Sequence, residues 1–222
     1  MKKNQPETAD NPKKTRIIIR LLRKEYPTIR TTLEYKTPFQ LLIATILSAQ
    51  CTDKKVNEVT KSLFRRYAKA EDFARAGQQQ LEQVIRPTGF FRNKSKNIIG
   101  ASKKICEQYK GMVPDSMPRL LTLPGVARKT ANIVLSSAFK KAEGIAVDTH
   151  VKRLSNRLGL SSQTNPDKIE KDLLEIVPRK DWIDCNYLLV NHGRKICKAR
   201  KPLCPVCILK DLCPSQSTIN SS

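Results

Sequence analysis

Pro38-Phe39-Gln40-Leu41-Leu42-Ile43-Ala44-Thr45-Ile46-Leu47 constrains the fold more than any other stretch of the chain. Proline suits the first helical position because its missing N–H is unpaired there anyway, and a helix that is apolar almost all round has to be buried. The run is interrupted by Gln40 and is far too short to cross a bilayer, so a buried helix is expected. Around it the chain reads as helix nearly throughout. Ile17, Ile18, Leu21 and Leu22 share one helical face, and further helical patterns cover about 53–68, 78–85, 94–109, 116–121, 127–139, 148–158, 166–176 and 181–193. Asn165-Pro166-Asp167 is a start signal with a capping Asn. No run alternates with the period of a half-buried strand, so the expected class is all-α. Residues 1–14 and 215–222 show no periodic apolar face and are expected to be a basic tail and a flexible tail.

Charge narrows the partner. Lys and Arg number 42 against 20 Asp and Glu, a formal charge of +22. An excess of that size favours a polyanion, because each neutralised phosphate releases condensed counterions. Met1-Lys2-Lys3 resembles the basic start of a signal peptide, but polar residues follow it, so a soluble intracellular protein is expected.

Three of the seven cysteines, Cys51, Cys106 and Cys185, are scattered; Cys197, Cys204, Cys207 and Cys213 form a C-x6-C-x2-C-x5-C cluster. So few residues around four thiols cannot bury them as inert core. An odd cysteine count in a chain with no recognisable signal argues for a reducing compartment and against disulfides. Four thiolates on a metal centre is the better reading, and spacing leaves zinc and [4Fe-4S] both open. Arg194, Lys195, Lys198, Arg200 and Lys201 crowd the same segment. Pinned by metal ligands at both ends, that loop would present its cations preorganised for phosphate.

A second motif carries chemistry. In Leu123-Pro124-Gly125-Val126-Ala127-Arg128-Lys129-Thr130-Ala131-Asn132, Pro124-Gly125 makes a tight turn between two short helices. The amides that open the second helix, with the positive end of its dipole, form an anion site. Lys129 falls on that first turn beside Arg128, and Val147-Asp148-Thr149-His150 follows, with Asp148 at the start of the next helix. The pair reads as an amine nucleophile and a carboxylate that assists it.

These residues together resemble the endonuclease III family of the helix-hairpin-helix DNA glycosylase superfamily, over about 15–214. The resemblance implies a six-helix domain, about 31–141, beside a cluster domain made of 15–30 and 142–214. DNA would cross the groove between them, with Lys129 from one side and Asp148 from the other. It implies a [4Fe-4S] cluster on Cys197, Cys204, Cys207 and Cys213, and DNA contacts from Gly125, Ala127, Arg128, Lys198, Arg200 and Lys201. Gln50 falls where the family has a gap-filling glutamine, and Phe90 where it inserts an apolar wedge after a base is flipped out. Ala127 departs from the second glycine usual in the family, so an intact hairpin with slightly altered phosphate contact is expected.

The implied activity is removal of oxidised pyrimidines from duplex DNA and cleavage at the abasic site through a lysine Schiff base. Bringing a lysine from about 10.4 to neutrality takes about 4 kcal/mol, which Arg128, the helix start and a closed pocket would supply. Duplex DNA with damaged bases or abasic sites is the expected partner of a monomeric, cytoplasmic, nucleoid-associated enzyme that needs no membrane. An adenine mismatch glycosylase would lack Lys129, and a non-catalytic DNA-binding or redox-sensing iron–sulfur protein would leave the pairing of Lys129 with Asp148 to chance. His150 and His192, the two histidines, receive no catalytic role.

Overall fold

The computed structural model describes residues 11–27 and 30–216, and among them every regular element is helical. Eleven α-helices follow in chain order: α1 Asn11–Glu25, α2 Pro38–Leu47, α3 Asp53–Arg66, α4 Ala70–Ala74, α5 Gln78–Ile85, α6 Phe91–Tyr109, α7 Met117–Leu120, α8 Arg128–Ala138, α9 Thr149–Arg157, α10 Pro166–Ile176 and α11 Trp182–Lys195. No helix among the described residues is long and apolar enough to cross a membrane. The start of α1 corrects the expected tail: residues 11–14 are its first turn, and the Lys14 ammonium donates to the Leu158 carbonyl at 2.7 Å. Residues 1–10 and 217–222 of the two expected tails lie outside the described residues.

Thr31–Glu143 forms one compact unit, and the described residues up to Arg30 form the other with those from Gly144 onward. In the first, α2 is the core element: all nine residues from Phe39 to Leu47 are buried. Thr37 caps it by accepting from the Gln40 amide, and the one long polar side chain, Gln40, accepts from the Lys36 amide at 2.9 Å. Leu63 of α3, Phe73 of α4, Leu81 and Ile85 of α5, Ile98 and Ile105 of α6 and Val134 and Leu135 of α8 complete that core. Helix α4 is a seventh helix in this unit, where six were expected. Its five residues are too few for a 3.6-residue period to show.

The second unit has its own core, from Ile18, Ile19 and Leu22 of α1, Val151 and Leu154 of α9, Ile169 and Leu173 of α10 and Leu188 and Leu189 of α11. Arg23 fastens α1 to the head of α11, pairing with Asp181 at 2.7 Å and with Asp184. The cluster segment ends this unit in two 3-10 turns, Cys204–Val206 and Lys210–Leu212, with Leu209 buried between them.

Because α2 has no solvent face, truncation inside it leaves a hole that its neighbours fill only in part. Leu42→Ala is expected to cost about 2–5 kcal/mol, read as a lower urea midpoint by circular dichroism. A cost under about 1 kcal/mol would mean that the core around α2 is loosely packed.

Candidate DNA-contact and metal-cluster sites

The hairpin runs from α7 to α8. Leu120, Leu123 and Val126 are buried and anchor it, and the Val126 amide closes the turn on the Leu123 carbonyl at 3.1 Å. Gly125 sits at φ +76, and a Cβ there would come within 2.7 Å of the Asn97 side chain, so both conformation and space require glycine. Ala127 is the N-cap of α8 at φ −90, ψ 170, ordinary extended backbone, so the missing second glycine costs the hairpin no strain. Ala127 supplies no side-chain cap to this helix start, having no side-chain acceptor. Arg128 is half-buried and Lys129 is exposed on the first turn, while Ala131, Asn132, Val134 and Leu135 turn inward. The closed pocket expected around Lys129 is therefore not built by unit 31–143 itself.

Asp148 caps α9 in the other unit. Its Oδ1 accepts from the amides of His150 and Val151, both at 2.8 Å, and its Oδ2 lies 3.1 Å from His150 Nδ1. The carboxylate is thus held through both oxygens and stays partly open to solvent. His150, given no catalytic role from sequence, lies within hydrogen-bond distance of Asp148 and helps to orient it. Its neighbour two residues away was the available signal.

Helix α9 also reaches the cysteine segment. Arg153 donates to the carbonyls of Gly193 at 3.0 Å and Cys197 at 3.1 Å. Arg157 donates to those of Lys198 at 2.7 Å and Ala199 at 3.0 Å, and its Nη1 stands 3.3 Å from Cys197 Sγ. The backbone after Cys197 is therefore clamped by two guanidinium groups, leaving Lys198, Arg200 and Lys201 exposed. Sequence reading missed both arginines, because what they bind is backbone some forty residues away.

Cys197, Cys204, Cys207 and Cys213 line one small cavity with Leu154, Leu158, His192 and Leu209, and none is in a disulfide. The Leu209 amide donates to Cys207 Sγ at 3.4 Å, and His192 Nε2 lies 3.3 Å from the same sulfur. Burial pushes the Cys207 and Cys213 thiols up, so thiolates are costly here without cations to share their charge. Burial also holds His192 down, at about 4, so its ring is neutral. Its Nδ1 lies 3.0 Å from the Tyr26 hydroxyl. Among the described residues no three His, Cys, Asp or Glu side chains gather closely enough for a single ion. A donor set of four thiols around one cavity fits a [4Fe-4S] cluster.

Two more predicted residues lie in unit 31–143. Gln50, in the turn after α2, is exposed at φ 52; Phe90, before α6, is 61% exposed at φ 48. Phe90 is thus no core residue. Gly89 before it adopts φ 69, ψ 162, open to glycine almost alone.

Residues 43–179 match the family model of the HhH-GPD superfamily of base excision DNA repair proteins, and 197–213 match the iron-sulfur binding domain of endonuclease III. The endonuclease III of Synechocystis sp. is 56% identical over 198 residues, 89% of this chain and 90% of that protein. That of Escherichia coli is 39% identical over 203 residues, 91% and 96%. The protein chain of a non-covalent endonuclease III–DNA complex superposes with a TM-score of 0.90 at 40% identity, covering 95% of this chain and 99% of that one. With the hairpin, the capped aspartate and the cysteine cavity in place, the chain belongs to the endonuclease III family.

Proposed function

We propose that this protein is a bifunctional base excision repair enzyme that removes oxidised pyrimidines from duplex DNA and nicks the strand at the resulting abasic site, with Lys129 as nucleophile and Asp148 assisting it. One observation carries the reading: Lys129 stands exposed on the first turn of a helix whose N-cap residue, Ala127, offers no side-chain cap, directly behind the Gly125 turn. A DNA phosphate seated on the amides of that helix start fixes the backbone beside the amine. Bound DNA, rather than the empty protein, then supplies the burial that favours the neutral amine.

The chemistry follows from that amine. Its nitrogen forms a bond to the sugar C1′ as the C1′–N bond to the damaged base breaks, and the base leaves with a proton. Asp148 accepts a proton from the amine and steadies positive charge growing on the sugar. Opening of the ring gives a Schiff base, whose electron demand acidifies the C2′ hydrogen. Loss of that proton expels the 3′ phosphate, and water returns the free amine. Phe90 and Gln50 would enter the stack that the flipped nucleotide leaves, offsetting part of the unstacking cost. Cys197, Cys204, Cys207 and Cys213 would hold the [4Fe-4S] cluster, which supplies the covalent cross-links of the segment. Lys198, Arg200 and Lys201 would lie along the phosphates. A charge of +22 suits work on DNA, and the reading is of a monomer in the cytoplasm, associated with the nucleoid.

Lys129→Ala should lose base release and nicking on a thymine glycol duplex while keeping its DNA affinity, because the hairpin backbone still holds the phosphate. Asp148→Asn should release base about 10²- to 10⁴-fold more slowly without losing stability, since Asn caps a helix as well as Asp does. Full nicking by Lys129→Ala would overturn the assignment.

Affinity for undamaged duplex should fall with salt by about 0.9 in log K per log salt for each phosphate contacted. Lys198→Ala with Arg200→Ala should flatten that slope, and Arg157→Ala should do so in part by releasing the loop. An unchanged slope would mean that the loop is only a solvated surface.

Serine in place of any of the four clustered cysteines should lower bound iron and weaken DNA binding, measured by iron analysis and visible absorbance. Stoichiometric zinc without iron in anaerobically purified protein would contradict the cluster.

A further inference from the structure

Lys94, in the first turn of α6, is 4% exposed and is buried in unit 31–143. Its ammonium donates to the Leu47 carbonyl at 2.8 Å and to the Thr88 carbonyl at 2.7 Å, and its amide donates to the Phe90 carbonyl at 3.0 Å. Leu47 is the last residue of α2, and Thr88 is the last residue of the 3-10 turn Arg86–Thr88. Helix ends leave such carbonyls without partners, and a cation is the strongest donor for them.

The position is otherwise a poor one for a charge. An ammonium at the start of its own helix opposes that helix's dipole, and burial pushes it below the ordinary lysine range. A leucine or methionine would fill the volume without either penalty. What neither could do is bind two carbonyls that lie 47 and 6 residues away in sequence. Immediately beyond those carbonyls come the turn with Gln50 at φ 52 and the loop with Phe90 at φ 48. Left-handed backbone costs an ordinary residue about 1–2 kcal/mol and persists only where the surroundings impose it.

We propose that Lys94 is a positioning residue that fastens the Gln50 turn and the Phe90 loop to each other, so that gap filler and wedge enter the duplex as one unit. It touches neither DNA nor the reacting sugar. The proposal rests on the reading of Gln50 and Phe90 given above.

The test uses full-length Lys94→Met and Lys94→Gln. Single-turnover base release is followed from a paired thymine glycol and from the same lesion in an unpaired bulge, where unstacking is already done. Lys94→Met should slow release from the paired duplex by about tenfold and from the bulge far less. Lys94→Gln, able to reach one carbonyl, should fall between it and wild type. Phe90→Ala with Lys94→Met should be no slower than Phe90→Ala alone, because both changes disable one device. Amides 48–51 and 88–91 should exchange faster together in the Lys94 variants. A merely structural role would slow both substrates equally and add to Phe90→Ala, and either result overturns the proposal. Should Lys94→Met fail to fold, Lys94→Gln carries the same comparisons. If Phe90→Ala and Gln50→Ala release base at the wild-type rate, the reading of those residues falls and the proposal with it. If they are slow while the Lys94 variants are not, the proposal alone falls.

Discussion

The carboxylate of Asp148 rests on the free amides that open α9, and the same helix grips the chain after Cys197 through Arg153 and Arg157. An α-helix leaves its first amides and last carbonyls without partners, and buried backbone groups must find them. Here a nine-residue helix meets that demand with the side chains that matter most. The cap holds the candidate carboxylate by both oxygens, with His150 fixing the second. The arginines hold the cation-bearing backbone by its carbonyls, and Arg157 also lines the cysteine cavity. Disturbing α9 therefore moves the candidate reactive carboxylate and the candidate binding loop together.

Unit 31–143 handles the same constraint in two opposite ways. At the head of α8 the N-cap residue is alanine, which offers no side-chain cap. A stabilising Ser or Asp there would occupy the proposed anion site, and its absence leaves about 1 kcal/mol of helix stability unused. At the tail of α2 the last carbonyl is instead taken by a buried ammonium, which draws a second loop to the same point. Gln50 and Phe90 stand beyond those carbonyls in left-handed backbone. Strain at both exposed positions, next to a costly buried charge, marks a place where the chain favours geometry over stability.

Much of this was legible in the sequence. The apolar run 39–47 required a buried helix, and capping residues and periodicity located most of the rest. Asp148 read as the start of a helix, and the cysteine spacing read as one metal centre. Helix α4 escaped because five residues carry no period, and residues 11–14 read as tail because Lys13 and Lys14 mask the first turn of α1. Lys94 escaped for a different reason: a lysine in a helical pattern reads as solvent face, and only the carbonyls around it show that it is buried. The same holds for Arg153 and Arg157, whose acceptors are backbone atoms that no side-chain pattern records.

In the proposed mechanism one amine, that of Lys129, attacks the sugar and carries both base removal and strand cleavage. Borohydride reduction during turnover on a thymine glycol duplex freezes the covalent intermediate, and digestion with peptide mass mapping locates it. The adduct should fall on the peptide containing Lys129 and form as fast as base is released. An adduct on another lysine or on the N-terminal amine, or an active enzyme that yields none, would contradict that claim.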